Sequence, residues 1–444
     1  MARSSTLFAC SACGHESPKW HGRCPGCGEW NTFVEEHRAA VPAGGGRRSG
    51  RALHPVRLAE VEASAVDRMT TGIGELDRVL GGGIVPGSMV LLGGSPGIGK
   101  STLTCAALGN LANAGRTTLY VSGEESAAQV KLRAERLGPR ALGVPIVAET
   151  DLDAVVATIE AERPDACVID SVQVLNDPGL SGSPGSVGQV REVAGRLMRV
   201  AKERGVAVIL VGHVTKEGAI AGPRVLEHLV DCVLSFEGER ERSYRTVRAL
   251  KNRFGSTSEV GVFEMRDSGL VEVEDASARF MAEATRAPGS TVLCAMEGSR
   301  PLLVEVQALV APTELPQPRR VANGVDRNRL ALILAVLARH GNVRLGGSDV
   351  FVSIAGGVRV DEPGADLAIA LALASASRGV AAEGGQPTAA FGELGLTGEL
   401  RQVAHADRRL AEARKFGLTH VLHPGPALGT LAAALRGGRA AKAA

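Results

Sequence analysis

The sequence predicts an α/β protein in which a parallel sheet surrounds a phosphate-binding loop, with a small metal-binding module before it and an α+β domain after it. Short apolar runs alternate with amphipathic helical patterns over residues 58–273, which is typical of strands joined by helices in a doubly covered parallel sheet. A glycine-rich loop containing a lysine follows one of these runs. Two Cys-x2-Cys pairs lie near the N-terminus, and paired thiols at this spacing are typical of a structural metal site.

The size and composition of the chain indicate a multidomain globular protein. Its 444 residues exceed one ordinary hydrophobic core, so two or three domains are expected. Because the net charge is only +2, any site for a polyanion must be a local patch. No apolar run reaches the roughly 18 to 20 residues that span a bilayer, and the N-terminus lacks a secretory hydrophobic region. We therefore expect a cytoplasmic protein without membrane contact.

The first module, residues 7–34, contains four cysteines in two pairs. Each pair is followed by glycine and fits a tight turn, and the four thiolates together offer the tetrahedral set that suits zinc: Cys10, Cys13, Cys24 and Cys27. A redox-active Cys-x2-Cys is the alternative, but two pairs with a glycine after each favour a metal. So short a segment would depend on the ion for its folding.

A linker and two larger domains follow the cysteine module. Residues 35–57 are rich in glycine, proline and arginine and lack apolar periodicity, which predicts a flexible basic linker. Residues 58–273 carry the alternating strands and helices. Over residues 286–444 paired strand patterns are mixed with Ala- and Leu-rich helices, which predicts an α+β domain.

The glycine-rich loop carries the strongest chemical signal. It matches G-x4-G-K-[ST], follows an apolar strand and begins a helical run, which is the context that this motif requires. Backbone N–H groups would hold the phosphates, Lys100 would contact the β and γ phosphates, and Ser101 would bind Mg²⁺. The predicted nucleotide-binding residues are Gly94, Ser95, Pro96, Gly97, Ile98, Gly99, Lys100, Ser101 and Thr102.

Two carboxylates follow neighbouring apolar strands and would lie beside this loop. Asp170 ends the run VID and is expected on the Mg²⁺ side of the nucleotide. Glu124, in YVSGEES, could orient or deprotonate an attacking water. The adjacent Glu125 is the alternative, but we expect it to face solvent or to cap the following helix.

Further motifs in the core are TTGIGELDRVLGGGIVPGS, YVSGEES, VIDSVQ and, at residues 251–255, KNRFG. Together with the cysteine module and GGSPGIGKST, they resemble the bacterial RadA (Sms) family of DNA repair proteins over essentially the whole chain. The resemblance implies a RecA-like P-loop ATPase that uses ATP, Mg²⁺ and Zn²⁺ and assembles as a homo-oligomeric ring, a hexamer. It also implies that nucleotide lies between neighbouring subunits.

The KNRFG segment has a specific role by this resemblance. Lys251, supported by Arg253, would reach the phosphates bound to the next subunit, because phosphoryl transfer needs cations on the transferring group and a finger supplied in trans couples hydrolysis to assembly. From the residues alone, a hairpin tip with solvated charges is the alternative.

The resemblance further implies contacts with nucleic acid. Two glycine-rich loops, residues 176–192 and 216–228, offer Arg191, Lys216 and Arg224 as phosphate partners. They contain no aromatic residue for base stacking, so the contacts would be largely independent of sequence. The implied partners are single-stranded and branched DNA and a RecA-type recombinase. The implied activity is a DNA-dependent, helicase-like motor for branch migration in homologous recombination.

The segment VRVDEPGADLAIALALASA resembles the part of Lon protease that holds the nucleophilic serine. By register, Gly364 stands at the position of that serine and Asp407 at the position of the catalytic lysine. Without the hydroxyl and the amine, Ser–Lys chemistry has neither nucleophile nor base. The resemblance therefore implies an inactive Lon-protease-like domain that serves assembly or DNA binding.

Two other functions are compatible with the sequence. A non-motor regulatory or signalling ATPase would hydrolyse ATP without stimulation by DNA. An ATP-dependent protease would need a nucleophile away from the motif position, and Ser353 or Ser375 would have to supply it.

Overall fold

The chain forms two compact units. The computed structural model describes residues 5–10, 15–38, 57, 67–180, 182–214, 220–221, 225–238, 244–266, 269–282, 284–380, 388–426 and 428–437. The first unit comprises Met1–Glu237, Val247–Thr257 and Met265–Glu272, and the second comprises Gly238–Thr246, Ser258–Glu264 and Val273–Ala444. The cysteine module is counted with the first unit, so the finer division into four segments stays a prediction.

The cysteine module is a small antiparallel sheet. Its strands are β1 (Ser5–Cys10), β2 (Glu16–Ser17) and β3 (Phe33–Arg38), in the order β2-β1-β3. Among its described residues, the buried hydrophobic side chains are Cys10, Cys24 and Phe33. A core of three side chains is too small to stabilise a fold by itself, as expected for a module that depends on a metal.

The first unit is built from alternating strands and helices. The strands are β4 (Met89–Gly94), β5 (Thr118–Ser122), β6 (Ile146–Ala148), β7 (Ala166–Asp170), β8 (Ala207–Val214), β9 (Ile220–Ala221), β10 (Cys232–Glu237), β11 (Tyr244–Asn252), β12 (Val260–Arg266) and β13 (Gly269–Glu272). The helices are α1 (Gly74–Leu80), α2 (Lys100–Asn113), α3 (Ala127–Leu137), α4 (Pro139–Leu142), α5 (Leu152–Glu162), α6 (Val187–Arg204) and α7 (Val225–Leu229). Some of β11 and β12 is counted with the second unit.

A parallel sheet is the centre of this unit. The strands from β10 to β6 lie in the order β10-β4-β8-β7-β5-β6, and every neighbouring pair among them is parallel. Every residue of β4, β5 and β7 is buried, since helices cover both faces of such a sheet. Parallel strands end at the same edge, so the residues that follow β4, β5 and β7 meet there.

The second unit is a mixed α+β domain. Its strands are β14 (Ser290–Glu297), β15 (Arg300–Pro312), β16 (Arg320–Asn323), β17 (Ser348–Ile354), β18 (Ala389–Ala390), β19 (Glu393–Leu394), β20 (Leu400–Arg401) and β21 (Val421–Leu422). Its helices are α8 (Ala276–Ala282), α9 (Arg327–His340), α10 (Asp366–Arg378), α11 (Ala406–Lys415) and α12 (Leu431–Gly437). The main sheet has the order β16-β17-β15-β14-β18-β21. Helix α10 is the most deeply buried helix against it, with residues 366–370 and 372–374 inside the core.

Within the described part of the chain, no helix combines the length and the apolar character that crossing a membrane requires.

Candidate nucleotide-binding site and metal centre

The phosphate loop connects β4 to α2, as predicted. Gly99 has a φ of 116°, a backbone conformation that favours glycine over any residue with a Cβ atom. Lys100 Nζ donates to the carbonyl oxygens of Gly94 at 2.8 Å and Ser95 at 3.0 Å. The amine is therefore folded back over its own loop, in the position from which it can reach a phosphate.

The loop opens onto a cleft of about 370 Å³. The cleft is lined by Pro96, Gly97, Gly99, Lys100, Ser101, Thr102, Ser122, Glu124, Glu125, Arg133, Asp170 and Met265. It thus brings together the predicted lysine, the predicted magnesium-side residues and both candidate carboxylates. The remaining loop residues act differently: Gly94 and Ser95 hold the lysine, and Ile98, only 1% exposed, anchors the loop in the core.

Three buried polar groups, Asp170, Tyr120 and Lys100, set the electrostatics of the cleft. Asp170, at the end of β7, accepts a hydrogen bond of 2.5 Å from the Tyr120 hydroxyl. Burial and the nearby Asp170 raise the pKa of Tyr120, so it stays a neutral donor. Burial also lowers the pKa of Lys100, against the opposing effect of Asp170 and Glu124. The negative charges of a bound triphosphate would favour the charged form of the buried Lys100 amine.

The two adjacent glutamates are held by different partners. Glu124 accepts a hydrogen bond from the Ser171 hydroxyl, whereas Glu125 forms an ion pair with Arg133. Glu125 thus lines the cleft beside Arg133, while its side chain remains 37% exposed.

Sequence patterns did not predict the residues that hold these carboxylates, namely Tyr120, Ser171 and Arg133. Two of them carried a usable signal. Ser171 directly follows the strand-ending Asp170, and Tyr120 lies on β5, which pairs with β7. No sequence pattern indicated the contact made by Arg133, because that contact depends on how α3 is rotated against the sheet.

The KNRFG segment does not line the cleft of its own chain. Lys251 Nζ donates to the carbonyl oxygens of Glu227 at 2.7 Å and Val230 at 2.8 Å, at the end of α7. Arg253 forms an ion pair of 3.1 Å with Asp231. Both cations thus lie together beside the end of α7, away from the residues that line the chain's own nucleotide cleft.

The turn after Arg253 is fixed by contacts with α1. Asn252 Nδ2 donates to the Val79 carbonyl at 3.2 Å, and the Arg68 guanidinium donates to the carbonyl oxygens of Leu80 and Phe254. Such a network is not expected of a mobile hairpin tip.

Of the predicted DNA contacts, the structure describes one. Arg191 is exposed on α6. Lys216 and Arg224 lie outside the described residues, so their part in a DNA surface stays a prediction.

The cysteine module brings three thiols together. Cys10 Sγ lies 3.7 Å from Cys27 Sγ, and the sulfur atoms of Cys10, Cys24 and Cys27 all lie within 4.8 Å of one another. A tetrahedral zinc site with Zn–S bonds of about 2.3 Å separates its sulfurs by about 3.8 Å, whereas a disulfide needs about 2.05 Å. The three thiols therefore fit zinc. Cys13, the predicted fourth ligand, lies outside the described residues.

Replacing Cys24 with serine should empty this centre. We expect zinc bound to the purified full-length chain to fall from about one ion per chain to nearly none, because three sulfurs hold zinc far less well than four. Metal analysis after gel filtration measures this. Cys294→Ser, which removes a buried thiol of the second unit, is the matched control and should keep its zinc. An unchanged zinc content in Cys24→Ser would contradict the thiolate site.

The second unit has a buried ion pair where the Lon resemblance places the nucleophile. Arg409, 2% exposed, pairs with Glu362 and donates to Glu362 Oε1 at 2.8 Å and to the Cys294 carbonyl at 2.7 Å. A Cβ atom on Gly364 would lie 2.9 Å from Glu362 Oε2 and 3.1 Å from Arg409 Nη1. Asp407 is exposed on α11. A side chain at position 364 would thus have to displace the ends of this ion pair.

Comparisons with known proteins agree with this architecture. Family models match residues 55–219 as an AAA domain, residues 8–35 as a rubredoxin metal binding domain, and residues 333–426 as subunit ChlI of Mg-chelatase. An ATP-binding core, a zinc-ribbon module and a ChlI- and Lon-like C-terminal domain are thereby confirmed, and with them the predicted fold class. A solved KaiC-like protein from Pyrococcus horikoshii OT3 aligns with 47% of this chain and 99% of its own, at 24% identity and a TM-score of 0.39.

Similarity to characterised sequences extends over nearly the whole chain. DNA repair protein RadA of Bacillus subtilis (strain 168) is 46% identical over 430 residues, which cover 96% of this chain and 93% of the relative. RadA of Halalkalibacterium halodurans is 48% identical over 438 residues, covering 97% and 94%. RadA of Listeria monocytogenes is 49% identical over 432 residues, covering 95% and 93%. With this identity over this length, and with an ATPase core and a cysteine module of the expected kind, the chain belongs to the RadA family of DNA repair proteins.

Proposed function

We propose that this protein is an ATP-driven motor that remodels branched DNA during recombination repair, working as a ring of identical subunits. The observation that carries the proposal is the meeting of Lys100, Asp170 and Glu124 in one cleft at the carboxyl edge of the sheet. The relatives are named DNA repair proteins, which points to DNA as the polymer on which hydrolysis acts.

The cleft supplies the groups that phosphoryl transfer to water requires. The amide groups of the loop and the N-terminus of α2 would bind the phosphates, and Lys100 would release its loop carbonyls to contact the β and γ phosphates. Ser101 and Asp170 would hold Mg²⁺, which neutralises charge on the transferring phosphoryl group. Glu124, oriented by Ser171, would position the attacking water.

The second cation for this reaction would come from the neighbouring subunit. Lys251 and Arg253 lie outside the cleft of their own chain, and among the described residues Lys251 Nζ donates to the backbone carbonyls of Glu227, His228 and Val230. A triphosphate carries several negative charges and accepts charge-assisted hydrogen bonds, so a neighbour's nucleotide would be a stronger partner for this ammonium than neutral carbonyls. In a ring, repetition of this contact places one finger at every nucleotide.

DNA would lie against the surface that carries Arg191. Its exposed guanidinium on α6 suits a phosphate, and contacts of this kind position the protein without reading bases. A RecA-type recombinase as partner is compatible with this role and rests on the family resemblance.

A mixing experiment tests the finger and the motor together. Lys251→Ala should keep nucleotide binding and lose ATP turnover stimulated by single-stranded or branched DNA. Lys100→Ala should lose turnover because its own phosphate loop lacks the lysine. If Lys251 acts in trans, mixing the two inactive variants restores intact sites at about a quarter of the seams of a randomly mixed ring. Turnover in mixed assemblies is the measurement.

The outcomes separate the competing functions. Mixed assemblies that form but stay inactive would contradict the finger in trans. Wild-type turnover that does not respond to any DNA would favour a non-motor regulatory ATPase. Cleavage of an unfolded polypeptide that persists in Lys100→Ala would support the protease alternative, even though charged side chains lie next to Gly364.

A further inference from the structure

The nucleotide cleft contains a charge arrangement that the proposed reaction does not use. Among its described lining residues are three carboxylates, Glu124, Glu125 and Asp170, and two cations, Lys100 and Arg133. A bound triphosphate adds several negative charges to this space. A carboxylate with no role in the reaction would oppose nucleotide binding unless its charge were compensated nearby.

Glu125 is fixed at both its backbone and its side chain. The Ser122 hydroxyl donates to the Glu125 carbonyl at 2.6 Å and accepts from the Glu125 N–H at 3.2 Å. The side-chain oxygen Oε2 forms an ion pair with Arg133. This oxygen is therefore already engaged with a guanidinium, whereas Glu124 accepts a hydrogen bond from the Ser171 hydroxyl.

Arg133 is itself held in place from the helix that carries it. Helix α3 begins with a reciprocal capping box between Ser126 and Gln129, which fixes its first turn. The Arg133 side chain is only 15% exposed, and although burial alone would lower its pKa, Tyr120, Glu125 and Asp170 raise it. The guanidinium thus sits inside the wall of the cleft as a permanent charge.

We propose that Arg133 is a positioning residue of the hydrolytic site, which neutralises Glu125 and holds it off the attacking water so that Glu124 alone acts on that water. This inference rests on the proposed ATPase function and assigns a role to a pair outside the phosphate loop. The arginine acts through Glu125 and contacts no reacting atom.

A double-mutant cycle tests the pair in the full-length chain. We expect Arg133→Ala to weaken binding of a non-hydrolysable ATP analogue about tenfold, since it leaves a carboxylate uncompensated beside the triphosphate. Glu125→Gln should bind the analogue at least as tightly as wild type, because it removes a negative charge beside the triphosphate and leaves Arg133 as a cation there. The combination of Arg133→Ala with Glu125→Gln should regain most of the lost affinity, because the opposing charge is gone. A purely structural role for Arg133 would show no such rescue.

Two further variants keep the test decisive. Arg133→Lys retains a positive charge without the planar guanidinium, so its affinity for the analogue should lie between those of wild type and Arg133→Ala. It replaces Arg133→Ala in the test if the alanine variant does not fold. Arg136→Ala changes an exposed arginine of the same helix and should bind like wild type. Melting temperatures of all variants separate loss of fold from loss of affinity.

Each contrary outcome has a distinct meaning. A double variant as weak as Arg133→Ala would overturn the pair as the reason for the defect, as would full affinity in Arg133→Ala itself. Loss of turnover in Glu125→Gln alone would make Glu125 the residue that acts on water and would also overturn the inference. None of these results touches the ATPase assignment, which fails only if the wild-type chain does not hydrolyse ATP.

Discussion

Replacing Lys100 with alanine should reduce ATP turnover at least about 100-fold, the size of effect seen when one preorganised charge-stabilising donor is removed from an active site. The lysine is 4% exposed and its amine already lies over the carbonyls of the loop. No other described cation shares the loop with it, so the charge on the β and γ phosphates would lose its nearest partner. Steady-state phosphate release with and without DNA measures the effect.

Lys131→Ala is the matched control for this change. Lys131 is on α3 and its side chain is 68% exposed, outside the residues that line the cleft. It should turn over ATP like wild type. A folded Lys100→Ala variant with turnover within about tenfold of wild type would contradict the assignment of the phosphate loop as the hydrolytic site.

Replacing Glu362 with alanine should destabilise the second unit by about 3 to 5 kcal/mol, the range for breaking a buried ion pair by removing one partner. The Arg409 side chain that would be left behind is 2% exposed. It would keep its bonds to carbonyls, such as 2.7 Å to Cys294, but lose its only identified counter-charge. The buried cation cannot move to water without unpacking α11.

Hydrogen exchange of the amides in α10 and α11 is the suitable measurement. Both tryptophans of the chain, Trp20 and Trp30, lie in the cysteine module, so their fluorescence would not report on the second unit. Asp361→Ala is the control, because its pair with Arg359 is exposed, at 58% and 65%, and exposed pairs contribute about 0 to 1 kcal/mol. Equal protection in Glu362→Ala and Asp361→Ala would show that the buried pair does not stabilise this unit.

The parts of the site that sequence predicted are those fixed by local geometry. A glycine-rich loop between a strand and a helix has one conformation that suits phosphate, so Gly99 and Lys100 could be placed from the motif alone. Asp170 followed from the rule that parallel strands end at one edge. The two cysteine pairs likewise predicted converging thiols, which Cys10, Cys24 and Cys27 confirm.

The parts that sequence did not predict depend on how separate elements pack. Glu125 appeared to be a surface residue because its partner, Arg133, lies eight positions along on a helix whose rotation no local pattern fixes. Arg409 lies 47 residues from Glu362 in the sequence. The motif alignment that identified Gly364 and Asp407 therefore gave no indication that these two residues pair. The carbonyls that hold Lys251 come from α7, another element distant along the chain.

The packing around Gly364 also limits which side chains this position can accept. A serine placed there by one mutation would bring its Cβ atom to 2.9 Å from Glu362 Oε2 and 3.1 Å from Arg409 Nη1, so the ends of this ion pair would have to shift. Removing either charge first would weaken the unit before any new chemistry could arise. A hydroxyl-bearing side chain at position 364 would therefore come with a loss of stability in this unit, so selection on stability alone would keep glycine there.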